Sequence, residues 1–380
     1  MFKTGGLSVC LLMLAILPQA LPAAEQDCVA AARLVQQGAG LADGSEQEEK
    51  LYRQAIEGCS NMAEAWHNLG INLARRSQLD PAIDALKKAV EIRDDAGFHF
   101  AIGTVQLQKG NSAEARREFD AAVALDGRHV KSLQGQALVS EKDGDFSKAV
   151  EALKKALEVD PENAISTYNL GVLYDRQNDT TQAIDAYEKT LRLESEHFEA
   201  AFYLGLAYRR AGRLEDSARL LEQASRLRAD DARVHRALGV VHEALGDLDR
   251  AELALKKTIE IDPQDVASRV NLGVILINKR MESQAQQVLQ AAVTTSPDNS
   301  RARSVLGWAE LELGRYADAE ASLRKSIELD ATNAYAHNNL GVLYQRQGKN
   351  EQAMREFEAA VRLDPSIEAA RTNLGRLGRG

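Results

Sequence analysis

The chain has 380 residues, a formal charge of −9, 44% hydrophobic and 5% aromatic residues. That acidity excludes the clustered excess of Lys and Arg that nonspecific nucleic-acid binding requires, and otherwise implies solubility. The apolar fraction is enough for a continuous core, and the low aromatic content suits helices packed through Ala and Leu.

Residues 1–24 differ in kind from the rest. Lys3 supplies a positive start, Leu7 to Leu17 an apolar run of 11, and Pro18 to Ala24 a small-residue exit. This pattern predicts a secretory signal peptide, too short to span a bilayer as a stable anchor, with cleavage after Ala23 or Ala24. An uncleaved signal anchor is the alternative. Cys10 follows Val9 inside the apolar run, which is not a lipoprotein acylation box.

Export changes how the remaining cysteines, Cys28 and Cys59, are read, because disulfides form in such compartments. Between them the sequence predicts a divergent helical hairpin over residues 25–62. A helix near Gln26 to Gln37 is followed by the loop GAGLADGSE and a helix near Gln47 to Gly58. An antiparallel hairpin brings the start of the first helix beside the end of the second, where the two cysteines fall. A disulfide is therefore expected there, contributing roughly 3–4 kcal/mol in the chain-entropy model. Two separate buried thiols are the alternative. With no His or third Cys nearby, a zinc site is not expected.

From residue 63 to 366 the chain repeats itself. In AYAHNNLGVLYQRQGKNEQAMREFEAAVRLDPS, residues 334–366, Leu340, Gly341, Tyr344, Ala353, Phe357, Ala360 and Pro365 mark the pattern. A Gly follows Leu again at 307, 273, 239, 205 and 171, a step of 34. Each unit shows two stretches of apolar residues at helical spacing, so nine helix pairs are predicted, starting at 63, 96, 130, 164, 198, 232, 266, 300 and 334. Gly at the eighth place and Ala at the twentieth leave room for two helices to cross closely. At the fifteenth place Gly110, Gly144, Gly212, Gly246, Gly314 and Gly348 can end the first helix in a left-handed conformation, as can Asn178. Ser77 and Arg280 are poorer residues for it. Pro161, Pro263, Pro297 and Pro365 stop second helices. The unit from Val130 has Gln136 and Ala137 where Leu and Gly belong, so looser packing is expected there. Residues 367–380 start one further first helix, with Leu374 and Gly375 in register, and read as a terminal cap and tail. No Pro/Gly/Ser-rich linker interrupts the array.

This pattern resembles the tetratricopeptide repeat, whose units have the same length and the same Leu-Gly, Tyr, Ala, Phe, Pro order. The resemblance implies an all-α fold, a right-handed superhelical solenoid of antiparallel helix pairs. Only Trp66 keeps the signature Trp; His99, His235 and His337 stand at that place elsewhere. In this family the first helices line an inner groove that holds extended peptides or partner helices, so other proteins are the expected partners.

The sixth place carries Asn68, Asn169, Asn271, Asn339 and Asn373. An amide at regular spacing can grip a peptide backbone through donor and acceptor together. The row is similar to the asparagine ladder in the repeat arm of O-linked N-acetylglucosamine transferase, although Ala101, Gly135, Tyr203, Ala237 and Val305 interrupt it. Tolerated consensus residues are the plainer account. At the fifth place Phe100, Tyr168 and Phe202 are candidate interface anchors. At the ninth, Val172, Leu206, Val240, Val274, Trp308 and Val342 form either a groove floor or ordinary helix packing. Arg176, Arg209 and Arg210 are a basic cluster suited to an acidic peptide or carboxylate. The carboxylate clamp of chaperone-binding members is absent, since His67 and Ile71, Phe100 and Thr104, and Tyr168 and Val172 hold the places where it needs Lys and Asn.

No metal-protease, phosphate-loop, nucleophile-elbow or CxxC motif occurs, so neither catalysis nor a cofactor is expected. The reading is an exported scaffold, periplasmic by its leader, which resembles repeat proteins of envelope assembly, pilus biogenesis and exopolysaccharide export. A eukaryotic secretory route would glycosylate the sequon Asn178-Asp179-Thr180. A structural or self-associating strut with an empty groove, and a glycan-binding arm, are the alternatives. No membrane insertion is expected once the leader is removed.

Overall fold

The structure, a computed structural model, describes residues 23–377. Most of the expected leader, with Cys10, lies outside the described residues. Among those described there are 21 helices and no strand, and none of the helices is long and apolar enough to cross a membrane.

A terminal hairpin pairs α1 (Ala23–Leu41) with α2 (Glu46–Gly58). Nine first helices follow: α3 (Ala63–Arg75), α5 (Ala96–Gln108), α7 (Val130–Lys142), α9 (Ala164–Arg176), α11 (Phe198–Arg210), α13 (Ala232–Ala244), α15 (Val266–Asn278), α17 (Ser300–Glu312) and α19 (Ala334–Arg346). Their second helices are α4 (Leu79–Ile92), α6 (Ser112–Leu125), α8 (Phe146–Val159), α10 (Thr180–Leu193), α12 (Leu214–Leu227), α14 (Leu248–Ile261), α16 (Glu282–Thr295), α18 (Tyr316–Leu329) and α20 (Asn350–Leu363). The last helix, α21 (Glu368–Leu377), is the added first helix expected after Pro365. Every predicted unit start coincides with the start of a helix. The chain forms two compact units, one ending at Ser166 and one beginning at Thr167, within α9.

In eight of the nine units the contact that sets the pair spacing is glycine against a large side chain. A Cβ on Gly341 would sit 2.6 Å from the Phe357 ring, and one on Gly171 2.7 Å from Tyr187. Gly70 meets Leu86 in the same way, Gly205 meets Leu221, Gly239 meets Leu255, Gly273 meets Leu289 and Gly307 meets Leu323. The eighth-place glycine therefore exists for the residue at the twenty-fourth place, and no other side chain leaves that space. The twentieth-place alanines line the same crossing and are fully buried. Ser217 replaces one of them and satisfies its hydroxyl by donating to the Gly205 carbonyl at 2.6 Å.

The unit from Val130 was expected to pack loosely, and it does not. Ala137 and Leu153 are both buried. Gly135, two places before the usual position, leaves room for the Phe119 ring of the preceding unit, which also fills the space above Gly103.

First helices end alike. The N–H three residues beyond the helix returns to a carbonyl five residues back, as in Asn111 to Gln106 at 2.9 Å and Arg315 to Glu310 at 2.9 Å. The residue just before that donor must be left-handed. Glycine fills that place in six units, and Asn178 does so at φ 60°. Ser77 and Arg280, poor residues for it, adopt it nonetheless, at φ 60° and 61°. The remaining turn dictates the backbone there, and the side chain bears the strain.

Two features were missed at the level of sequence. Asp95, Asn163, His197, Asp231, Asp265, Asn299 and Asn333, each one residue before a first helix, accept hydrogen bonds from its first-turn N–H groups. And α1 continues through Gly38 to Leu41 instead of stopping near Gln37, so the predicted loop is short. The reason is again a glycine: a Cβ on Gly38 would lie 2.6 Å from the Tyr52 ring. The divergent hairpin thus uses the same crossing as the regular units.

Two stability predictions follow from this geometry. Gly341→Val should drive a branched side chain into Phe357 and destabilise the C-terminal pairs by about 1–3 kcal/mol, read as lost hydrogen-exchange protection in α19 and α20. Arg280→Gly should raise the urea midpoint, since relieving a left-handed non-glycine residue is worth about 1 kcal/mol. A lower midpoint would mean that the Arg280 side chain does more than its backbone costs.

Candidate binding groove

In the unit ending at Ser166, the first helices α3, α5 and α7 leave a groove of about 410 Å³ between them. Ile71 and Ala74 from α3, with Phe100, Ala101 and Val105 from α5, supply its apolar surface. His67, Arg75, His129 and Lys131 supply its polar edge, and no Asp or Glu lines it. The Phe100 ring is held 5.9 Å from Phe119 and 5.7 Å from His129, edge-on to the latter. His67 lies 4.9 Å from the Phe98 ring, and burial pulls its pKa below the ordinary value, favouring neutral imidazole. Leu138, 44% exposed on α7, and Ile165, 60% exposed on α9, extend the apolar character of these helices.

The sequence-predicted site residues meet different fates. Phe100 lines this groove. Asn68 stands beside it, its Oδ1 3.1 Å from His67 Nδ1. The other ladder asparagines belong to the second unit, where three are engaged by protein neighbours. Asn271 accepts from Arg301 at 2.8 Å, Asn339 accepts from Asn338 at 3.3 Å, and Asn373 donates to Asn338 at 3.3 Å. Asn169 is half-buried on α9. These amides spend part of their hydrogen-bonding capacity inside the fold.

Phe202 is a correction. Expected as an exposed anchor, it is only 6% exposed. Its ring stacks on Phe198 one helical turn earlier, meets Tyr203 edge-on at 5.2 Å, and lies under the Arg233 guanidinium at 5.3 Å. Tyr168 is half-buried, 4.8 Å from the His197 ring, and burial pushes its phenol pKa up to about 12. The basic cluster is also corrected. Arg210 is paired with Asp175 on α9, so the surface of Arg176, Arg209 and Arg210 is of mixed charge. Burial raises the Asp175 pKa, and Arg210 opposes that shift. Trp308 is half-buried against the core around Leu272 and Leu306, which is the packing account of the ninth place.

The histidines at the fourth place are structural. His99 bonds Glu118 at 2.6 Å and Asp94 at 2.9 Å; burial opposes its charge, but these two carboxylates carry its pKa above the ordinary value. His337 pairs with Glu356 at 2.7 Å, and His235 donates to the Ala229 carbonyl at 2.9 Å. Trp66 makes the equivalent bond to the Ser60 carbonyl at 3.0 Å. Among the described residues no three His, Cys, Asp or Glu side chains form a metal-binding group.

At the chain's start the structure brings Cys28 and Cys59 to disulfide geometry, with Cα atoms 4.9 Å apart. At the other end of this hairpin the buried Glu48 accepts from the Gly44 N–H at 2.8 Å and from the Tyr52 hydroxyl at 3.1 Å.

Tetratricopeptide-repeat family patterns match residues 67–130, 100–163, 135–195, 168–220 and 204–266, then 243–309, 307–348 and 334–367. The chain belongs to the tetratricopeptide-repeat family. Its repeats are 29% identical over 115 residues to human protein O-mannosyl-transferase TMTC3, a stretch that is 30% of this chain and 12% of that protein. So small a share brings no transferase activity with it. Among solved structures, a tetratricopeptide repeat protein from Parabacteroides merdae matches with TM-score 0.53 and 18% identity, covering 66% of this chain and 99% of that one. The Cut9–Hcn1 hetero-tetramer of the APC/C matches with TM-score 0.50 and 14% identity, covering 93% and 88%. Both likenesses concern the fold alone. A tetratricopeptide-repeat array is in general a scaffold for other proteins, and the groove on α3, α5 and α7 is where this one offers apolar surface and charge together.

Proposed function

We propose that this tetratricopeptide-repeat protein is a non-catalytic scaffold that holds an extended segment of a partner protein against its first helices. The observation that carries the reading is the groove lined by Ile71, Phe100 and Val105 and edged by Arg75 and Lys131. An apolar floor rewards burial of a partner side chain, while Lys131, and Arg75 shared with the buried Glu48 at 3.8 Å, reward an acidic group beside it. In a chain of net charge −9, a carboxylate-free groove is a local reversal of sign. The favoured occupant is thus a segment that alternates apolar and acidic side chains. Asn68, the sixth-place asparagine beside this groove, would grip its backbone with the hydrogen-bonding capacity that His67 leaves it.

The same proposal places the protein outside the cytoplasm, in a periplasm, in envelope assembly, pilus biogenesis or polysaccharide export. The leader pattern of residues 1–24 and the pairing of Cys28 with Cys59 support it, because a disulfide closing the terminal hairpin persists only in an oxidising compartment.

A photo-crosslinker at Phe100 should capture a partner, and one at Lys87, exposed on α4, should not. The double reversal Arg75→Glu and Lys131→Glu should cut capture by at least about tenfold while leaving the circular dichroism unchanged. Equal capture at both positions, or none at Phe100, would overturn the reading. Separately, intact mass of the natively expressed protein should start at Ala24 or Glu25 and be two hydrogens lighter than the reduced form. A full-length cytosolic chain with two free thiols would sink the export proposal.

A further inference from the structure

We propose that a second groove, lined by residues of α14, α15 and α16, binds an aliphatic carboxylate: an apolar chain with a carboxylate at its end. This site is separate from the groove on α3, α5 and α7 and does not rest on the reading given to it.

The groove has a volume of about 350 Å³. Ile259 from α14, Leu272 from α15, and Val288 and Ala291 from α16 give it an apolar lining. Lys256 and Arg269 are its cations, Gln287 is its one other polar residue, and no Asp or Glu lines it.

Arg269 departs from the rest of the array. It stands at the fourth place of its unit, where Trp66, His235 and Arg303 each bond a carbonyl six residues earlier. Those are Ser60 at 3.0 Å, Ala229 at 2.9 Å and Pro297 at 2.8 Å. Arg269 makes no such bond, and its Nη1 is buried with no hydrogen-bond acceptor. Asp265, at the N-cap of the same helix, is taken by Ser268 and Arg236. Glu252, which pairs with Lys256 at 2.6 Å, is shared with Lys279 at 2.6 Å. Among the described residues no carboxylate pairs with Arg269.

A buried guanidinium N–H without an acceptor is costly. A carboxylate that reaches it supplies a charge-assisted hydrogen bond, in the planar geometry that a guanidinium fits. The rest of the lining calls for a group with nothing to hydrogen-bond. Ile259, Leu272, Val288 and Ala291 offer a peptide backbone no side-chain partners, whereas a hydrocarbon chain needs none and gains by covering them. An anionic head beside Arg269 and Lys256 with a bare aliphatic tail is the chemistry that matches both parts.

Isothermal titration of the protein with decanoate, kept below its micelle concentration, tests this. The expected result is saturable binding at a single site, at least about tenfold tighter than decanol or decyltrimethylammonium, which share the chain and lack the carboxylate. Arg269→Met keeps an unbranched stem without the charge and should weaken decanoate by at least about tenfold, and Arg269→Lys should recover part of that loss. Ala291→Glu, at an exposed position, puts a competing carboxylate in the groove and should weaken binding as well. Unchanged circular dichroism checks that each variant is folded. Arg75→Glu with Lys131→Glu should leave decanoate binding intact, and its loss there would move the site to the other groove and overturn the proposal. So would the absence of saturable binding, equal affinity for decanol, or affinity unmoved by both Arg269→Met and Ala291→Glu. Displacement of decanoate by a short peptide of alternating Leu and Glu would assign the groove to a protein partner instead.

Discussion

The structure depends on one close approach, repeated: a glycine in each first helix, with no side chain, lying against a ring or Leu from the second helix. Eight of the nine regular units make the contact within the unit, and the terminal hairpin makes it with Gly38 and Tyr52. Because the contact is steric, it admits little variation. The unit from Val130 lacks the glycine at its usual place, and Gly135 instead opens space for Phe119 of the unit before. The alanines at the twentieth place follow from the same closeness, since any larger group would push the helices apart.

That crossing has a consequence for function. It uses one side of each first helix, and the opposite side is left to line a groove. What the groove offers then depends on the residues that reach it. In the unit ending at Ser166 these include Ile71, Phe100, Arg75 and Lys131, which give apolar surface beside positive charge. In the unit from Thr167 two corresponding residues are engaged by neighbours, with Phe202 buried under Arg233 and the exposed Arg210 paired with Asp175. Such half-satisfied side chains stiffen the wall more than they advertise a ligand. Exposed ion pairs elsewhere along the helices contribute little stability each, so their abundance is better read as solubility.

The two ends solve different problems. At the start, Glu48 is buried with its oxygens satisfied by Gly44 and Tyr52, and Cys28 stands at bonding distance from Cys59. Such local ties hold α1 and α2 together within the pair itself. At the other end α21 packs Ala370 into the α20 side, and Asn373 reaches Asn338. Its exposed Arg371 and Arg376 give the last helix a wet face.

By itself the sequence determined the repeat and its nine starts, and it pointed to Cys28 and Cys59 as neighbours. Those follow from spacing, and spacing along a helix fixes which side chains share a face. Of the aromatics it singled out at the fifth place, Phe100 lines the groove between α3, α5 and α7. What only the tertiary structure decided was the fate of each remaining candidate. Phe202 is covered by Phe198 and Arg233, Arg210 is neutralised by Asp175, and Arg280 takes a left-handed turn that its side chain disfavours. Place in a repeat says which way a side chain points. Whether it meets solvent or a neighbour depends on the particular residue one helix away, and a single repeat pattern does not record that.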